Sequence, residues 1–232
     1  MTTLDQLAYN VLNLSSGGRS THNEHISLRQ IKDWIHQYRS MYIRRDEERN
    51  RRLREFEQSI ADLEMETVKV GNPATGAFSI LRTVTALPRL IRLKDNEALT
   101  YAGDSLGISS YQVVDNHSVQ WRRFSLWTPQ EPCVFIQTDG RVYLHILPDQ
   151  DGSPSPEPKK LTVRGIFENP EDVHEFLIDQ GQVSEGSVWE YPLPNDMAES
   201  ITKNILQTEM NAAKTSPLDT KQDNLPDHQM RQ

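Results

Sequence analysis

The sequence predicts an α+β fold: helices first, a β-rich centre with hairpins, then a C-terminal helix and a polar tail. Three observations carry this. Apolar residues recur at spacings of three and four up to Ile43. Between Met65 and Phe167 they fall in short runs cut by Gly, Pro, Asn and Asp. Helical spacing returns after Asn195, and apolar residues then thin out. The first and third patterns are the signature of amphipathic helices, the second that of half-buried strands. The expected organisation is a helical, interface-forming region at 1–60, a β-rich core domain at 61–190 with a loop at 149–160, a helix within 191–214, and a disordered or partner-ordered tail at 215–232.

Residues 3–14 begin the series, with Leu4, Leu7, Ala8, Val11 and Leu12 on one helical face. The Ser/Gly-rich segment 15–25 breaks it. A second helix starts at Ser27, where Ser27 and Gln30 have the spacing of a capping box. Its apolar stripe is Leu28, Ile31, Trp34, Ile35, Tyr38 and Tyr42. Six arginines and four acids then lie between Arg44 and Glu55, with Leu53 the single apolar residue among them. Charge pairs three or four residues apart can support such a helix in water, each contributing about 0.2–0.5 kcal/mol. It has little to bury by itself, so it is either solvated or covered by a neighbour. Trp34, Tyr38, Tyr42, Arg44, Arg45, Arg51 and Arg52 are therefore the candidate interface residues.

Strands are expected at Met65–Val70, Phe78–Val84, Arg89–Leu93, Leu99–Ala102, Gln112–Val114, Val119–Phe124 and Lys160–Phe167. In CVFIQTDGRVYLHIL (133–147), apolar residues alternate on both sides of Asp139-Gly140, which predicts a hairpin with a two-residue turn. Glu168-Asn169-Pro170 ends the last strand, and Asn195 or Asp196 should cap the final helix, with Met197, Ile201 and Ile205 on one side.

Of its 232 residues, 36% are hydrophobic and 25% charged, and no run approaches the ~18 apolar residues of a membrane span. The N-terminus shows no basic flank leading into an apolar run, so no secretory signal is expected. The single cysteine, Cys133, suits a reducing compartment. Net charge is −8, and residues 151–232, with 7 basic and 15 acidic side chains, hold the excess. That distribution argues against a general nucleic-acid binder, because phosphate affinity comes from Lys and Arg.

Gly103-Asp104-Ser105-Leu106 spells the nucleophile block of the GDSL esterases. A working serine also needs a base, an orienting acid and oxyanion donors. The residues three before His117, His174 and His228 are Val114, Glu171 and Leu225, so the D-x-x-H element of that family is missing. A turn between strands explains the same four residues. His22 and His25 around Glu24 could touch one metal ion, but no second cluster completes a site. No catalytic, cofactor-binding or metal residue is expected. Trp121-Arg122-Arg123-Phe124 mixes aromatic and basic residues as single-strand binders do, although four residues of alternation are more often a strand edge with one face buried.

Five phrases, in constant order, carry a family resemblance: HISLRQIKDWIHQYRSMYIRRD (25–46), FSILRTVTALPRLIRLKDNEALTYAGDSLG (78–107), SSYQVVDNHSVQWRRF (109–124), LTVRGIFENPEDV (161–173) and YPLPNDMAESITKNIL (191–206). Together they resemble the podovirus and crAss-like phage virion proteins that form rings between portal and tail. The resemblance implies a structural head-to-tail connector or adaptor protein without enzymatic activity or cofactor. It implies a cyclic homo-oligomer, a dodecamer, docked on the portal protein and touching neighbouring tail and ring proteins. DNA would pass through the lumen without sequence-specific binding, and no membrane would be involved. The implied location is the head-tail junction of the virion, after assembly in the host cytoplasm. Another tail, baseplate or assembly-interaction role is the alternative, with a GDSL hydrolase the remote one.

Overall fold

A computed structural model of the chain describes residues 3–15, 26–48, 53–70, 78–93, 98–115, 117–119, 132–146 and 158–211. In chain order the elements are α1 (Leu4–Ser15), α2 (Leu28–Glu48), a 3₁₀ turn (Arg54–Phe56), β1 (Gln58–Val70), β2 (Phe78–Thr83), β3 (Leu99–Gly103), β4 (Gln112–Val113), β5 (Cys133–Ile136), β6 (Val142–His145), β7 (Lys160–Gly165), α3 (Pro170–Asp179) and α4 (Asn195–Gln207). The fold is α+β, as expected. The chain divides into two compact units, one of residues 1–39 with 193–232 and one of residues 40–192.

The first unit is helical. Thr3 and Gln6 close a reciprocal capping box at the start of α1: the Gln6 N–H donates to Thr3 Oγ1 at 3.3 Å, and the Thr3 N–H to Gln6 Oε1 at 3.1 Å. The buried face of α1 is Leu4, Leu7, Ala8 and Val11, which matches the sequence stripe. α2 begins as expected, with the Gln30 N–H donating to Ser27 Oγ at 3.2 Å, and Ile31 and Ile35 are buried on it. From α4 come Ala198, Ile201 and Ile205. Lys32 of α2 meets Asp5 of α1 at 2.8 Å. The residue capping α4 is Pro194, which makes no side-chain cap bond, so neither Asn195 nor Asp196 fills that role. Extended backbone at Pro194, with φ −61° and ψ 147°, sets the helix start instead.

The second unit is built on a seven-stranded sheet in the order β3-β7-β1-β2-β6-β5-β4, mostly antiparallel, with β4 and β5 parallel. β1 is longer than the sequence pattern suggests and serves two partners. Its first half pairs with β7, its second half with β2, and the register shifts between Ile60 and Leu63. Asp62 sits in that bulge with φ 53°, a conformation that Asp tolerates better than most residues. Gln182 Nε2 donates to the Ala61 carbonyl at 2.6 Å and satisfies the bulged backbone. The two ends of the strand order also meet. The Tyr111 N–H donates to the Ala102 carbonyl at 2.8 Å, and Gly103 bridges Ser110, so the sheet curls nearly into a barrel. The core beneath it gathers Ile60, Leu63, Leu81, Val134, Leu144, Val163 and Phe167.

Three local expectations need correction. The β5–β6 hairpin has a three-residue turn, not two: Gln137 faces Arg141, the Gly140 N–H donates to the Gln137 carbonyl at 2.9 Å, and Gly140 has φ 73°. Asp139 favours this form, because its Oδ1 accepts the Arg141 N–H at 3.0 Å and its Oδ2 the Tyr143 hydroxyl at 2.8 Å. Arg89–Leu93 is no strand but an extended segment held by an isolated bridge, Leu90 to Phe167. Val119, expected to begin a strand, lies in a helical turn at 117–119, and 120–124 fall outside the described residues. α3 has no counterpart in the expectations. The loop at 149–160 is described only from Pro158, and the tail at 215–232 lies outside the described residues.

Candidate functional site

α2 carries the first group of candidate interface residues. Tyr42 is 7% exposed within its own chain, and the Arg45 guanidinium lies 4.4 Å from the centre of its ring. Trp34 and Tyr38 are half-buried, whereas Arg44 and Arg45 are exposed. The Tyr38 hydroxyl lies 2.6 Å from Thr208 Oγ1 and donates to Glu209 Oε1 at 3.0 Å, so this ring ties α2 to the residues after α4. Arg51 and Arg52 lie outside the described residues, as do His22, Glu24 and His25. The charged run is not one unbroken helix: α2 ends at Glu48 and a 3₁₀ turn occupies Arg54–Phe56. Sequence reasoning missed Arg39 and Asp46, which are buried on the same helix. Their polarity disguises them in a count of apolar positions.

The second feature is the β3–β4 hairpin tip. Gly103-Asp104-Ser105-Leu106 forms the turn expected of these residue types. The Gly107 N–H donates to the Asp104 carbonyl at 3.0 Å, and the Asp104 N–H to the Ser109 carbonyl at 2.9 Å. Tyr101 braces the loop from below. Its hydroxyl lies 2.8 Å from the Asp104 carbonyl oxygen and 3.1 Å from that of Ser109, and the Arg164 guanidinium stands 5.0 Å from its ring centre. Ser105 is exposed, and its Oγ donates to Asp104 Oδ1 at 3.4 Å. Tyr111, at the root of the hairpin, has its phenol pushed above the ordinary value by burial, then by the Asp104 carboxylate and Tyr101. At the apex Leu106 is 77% and Ile108 80% exposed. Two large apolar side chains are thus held outward on a fixed loop.

A groove between α1 and α4, of about 830 Å³, is the third feature. Leu7, Leu14 and Leu206 supply apolar walls, and Asn13, Asn195 and Lys203 lie among them. Leu14 is 61% exposed there. The outer face of the sheet adds a charged ladder. Glu66 Oε1 accepts from Arg82 Nε at 2.7 Å and lies 3.5 Å from Arg141. The Arg82 pKa is raised above its ordinary value, first by its hydrogen bond with Tyr143 and then by that with Glu66.

Among the described residues no group of three or more His, Cys, Asp or Glu could hold a metal ion, and no helix is long and apolar enough to cross a membrane. What the arrangement offers chemically is surface: exposed guanidiniums, a braced apolar tip and an open groove. A family model described as phage tail ring protein 2 matches residues 6–228. No curated protein matches the chain.

Proposed function

The chain belongs to the phage tail ring protein 2 family, a structural ring protein of crAss-like phages, and on that premise we propose that its copies close into a collar at the head-to-tail junction of the virion. The collar docks on the portal, meets neighbouring tail proteins and surrounds the path of the DNA. Twelve copies is the number we assign to it, assembled in the host cytoplasm. The carrying observation is the extent of the family match, which takes in the helical unit and the sheet alike. A closed ring needs two different complementary patches on each subunit, and the chain carries several surfaces of unlike character. Exposed arginines follow Tyr42, whereas residues 151–232 hold 15 acidic side chains against 7 basic ones. An acidic wall lets DNA slide, because it repels phosphate instead of gathering it.

The chain acts by fitting against others, without catalysis. Light scattering on the purified protein, alone and mixed with its portal, tests this reading. A ring-sized particle in either sample is the expected result, and a monomer in both overturns it. In the same preparation, wild type and Ser105→Ala should hydrolyse a p-nitrophenyl ester equally slowly. A rate lost with the Ser105 hydroxyl would assign the chain to a different class.

A further inference from the structure

We infer that the β3–β4 hairpin tip of one copy inserts into the α1–α4 groove of the next copy, with Leu106 and Ile108 as the inserted side chains. The inference rests on the ring reading above and names the contact that would close it.

Exposure of single apolar residues is ordinary in a folded protein, but a pair held together at a braced apex is not. Tyr101 fixes the carbonyls on both arms of the loop, and Gly103 lets those arms approach. The loop is therefore ordered before any contact forms, which removes much of the entropy cost of binding. The groove answers it in kind. Leu7, Leu14 and Leu206 present the apolar lining that two aliphatic side chains need, in a space of about 830 Å³. Asn195 carries a donor and an acceptor suited to the polar backbone of a turn. Charge agrees as well, since Asp104 stands exposed at the tip and Lys203 at the groove. Tip and groove are different surfaces of one chain, so contact between them is heterologous, the kind that propagates around a ring.

Cross-linking between copies tests the contact. Full-length Ile108→Cys and Leu14→Cys are prepared separately, mixed and oxidised with copper phenanthroline. Cys133 is buried, and wild type serves as the control for it. A disulfide-linked heterodimer that neither variant gives alone is the expected result. Leu106→Asp with Ile108→Asp should weaken association about tenfold or more while leaving the circular dichroism melt unchanged. Wild-type rings without the cross-link overturn the insertion and leave the ring reading intact. A cross-link with no ring upholds the insertion and removes the ring. A bond formed only inside an Ile108→Cys/Leu14→Cys double variant of monomer mass also overturns the insertion, because the chain then fills its own groove.

Discussion

At Gly103 a methyl group would overlap the Ser109 carbonyl oxygen and stand 2.8 Å from Cζ of the Tyr101 ring, inside contact distance of both. The first of these is backbone and cannot step aside without opening the hairpin. Gly103→Ala should therefore lower unfolding stability by about 1–3 kcal/mol, read from the midpoint of a urea titration. Ser105→Ala, two residues on and exposed, should leave that midpoint where it is. The contrast gives the four-residue motif a meaning in packing: its glycine is constrained, and its serine faces water. Residue types alone did suggest a turn here. They could not tell which position is indispensable, because the close approach involves Tyr101 and Ser109 on either side of the loop.

Asn169, Pro170, Glu171 and Asp172 begin α3 with a full set of start signals. The Asn169 side chain accepts the Glu171 N–H at 3.1 Å and donates to Asp172 Oδ1 at 2.6 Å, while Pro170 opens the first turn. Replacing the cap, Asn169→Ala, should cost about 1 kcal/mol, and Asn169→Ser should keep most of it, both measurable in thermal melts. The sequence reading takes Asn169-Pro170 as the end of a strand and stops there. It is both an end and a beginning, and the acids at 171 and 172 were the available signal, since negative charge favours a helix N-terminus. Elements with long stripes, α1 and α2, were legible. Ragged ones such as 89–93 were not, because a partner outside the segment decides whether extended backbone becomes a strand.

Across the whole molecule the uneven charge should govern how copies meet. Contacts between an arginine-bearing surface and an acidic one strengthen at low salt, where the Debye length is longest, and fade above about 0.15 M, where it is near 8 Å. Arg51→Glu with Arg52→Glu should slow or abolish assembly while the sheet stays folded, checked by light scattering beside circular dichroism. Normal assembly by that variant would take the arginine run out of the interface. Salt should slow wild-type assembly and affect the reversed variant little or in the opposite direction. Melting temperature should follow neither change closely, since the core of Ile60, Val134, Leu144 and Phe167 is apolar.

The sequence by itself determined the order and kind of most elements, the excess of acid toward the C-terminus and the family resemblance, because spacing, composition and local phrases are properties of neighbours along the chain. Tertiary structure alone decided that Arg39 and Asp46 are buried, that β1 bends at Asp62 to serve two strands, and that Leu106 and Ile108 face outward beside a nearly closed sheet. Burial depends on what distant segments bring to the same place. Nothing in an arginine's immediate neighbours announces a buried position, and nothing next to an isoleucine announces solvent.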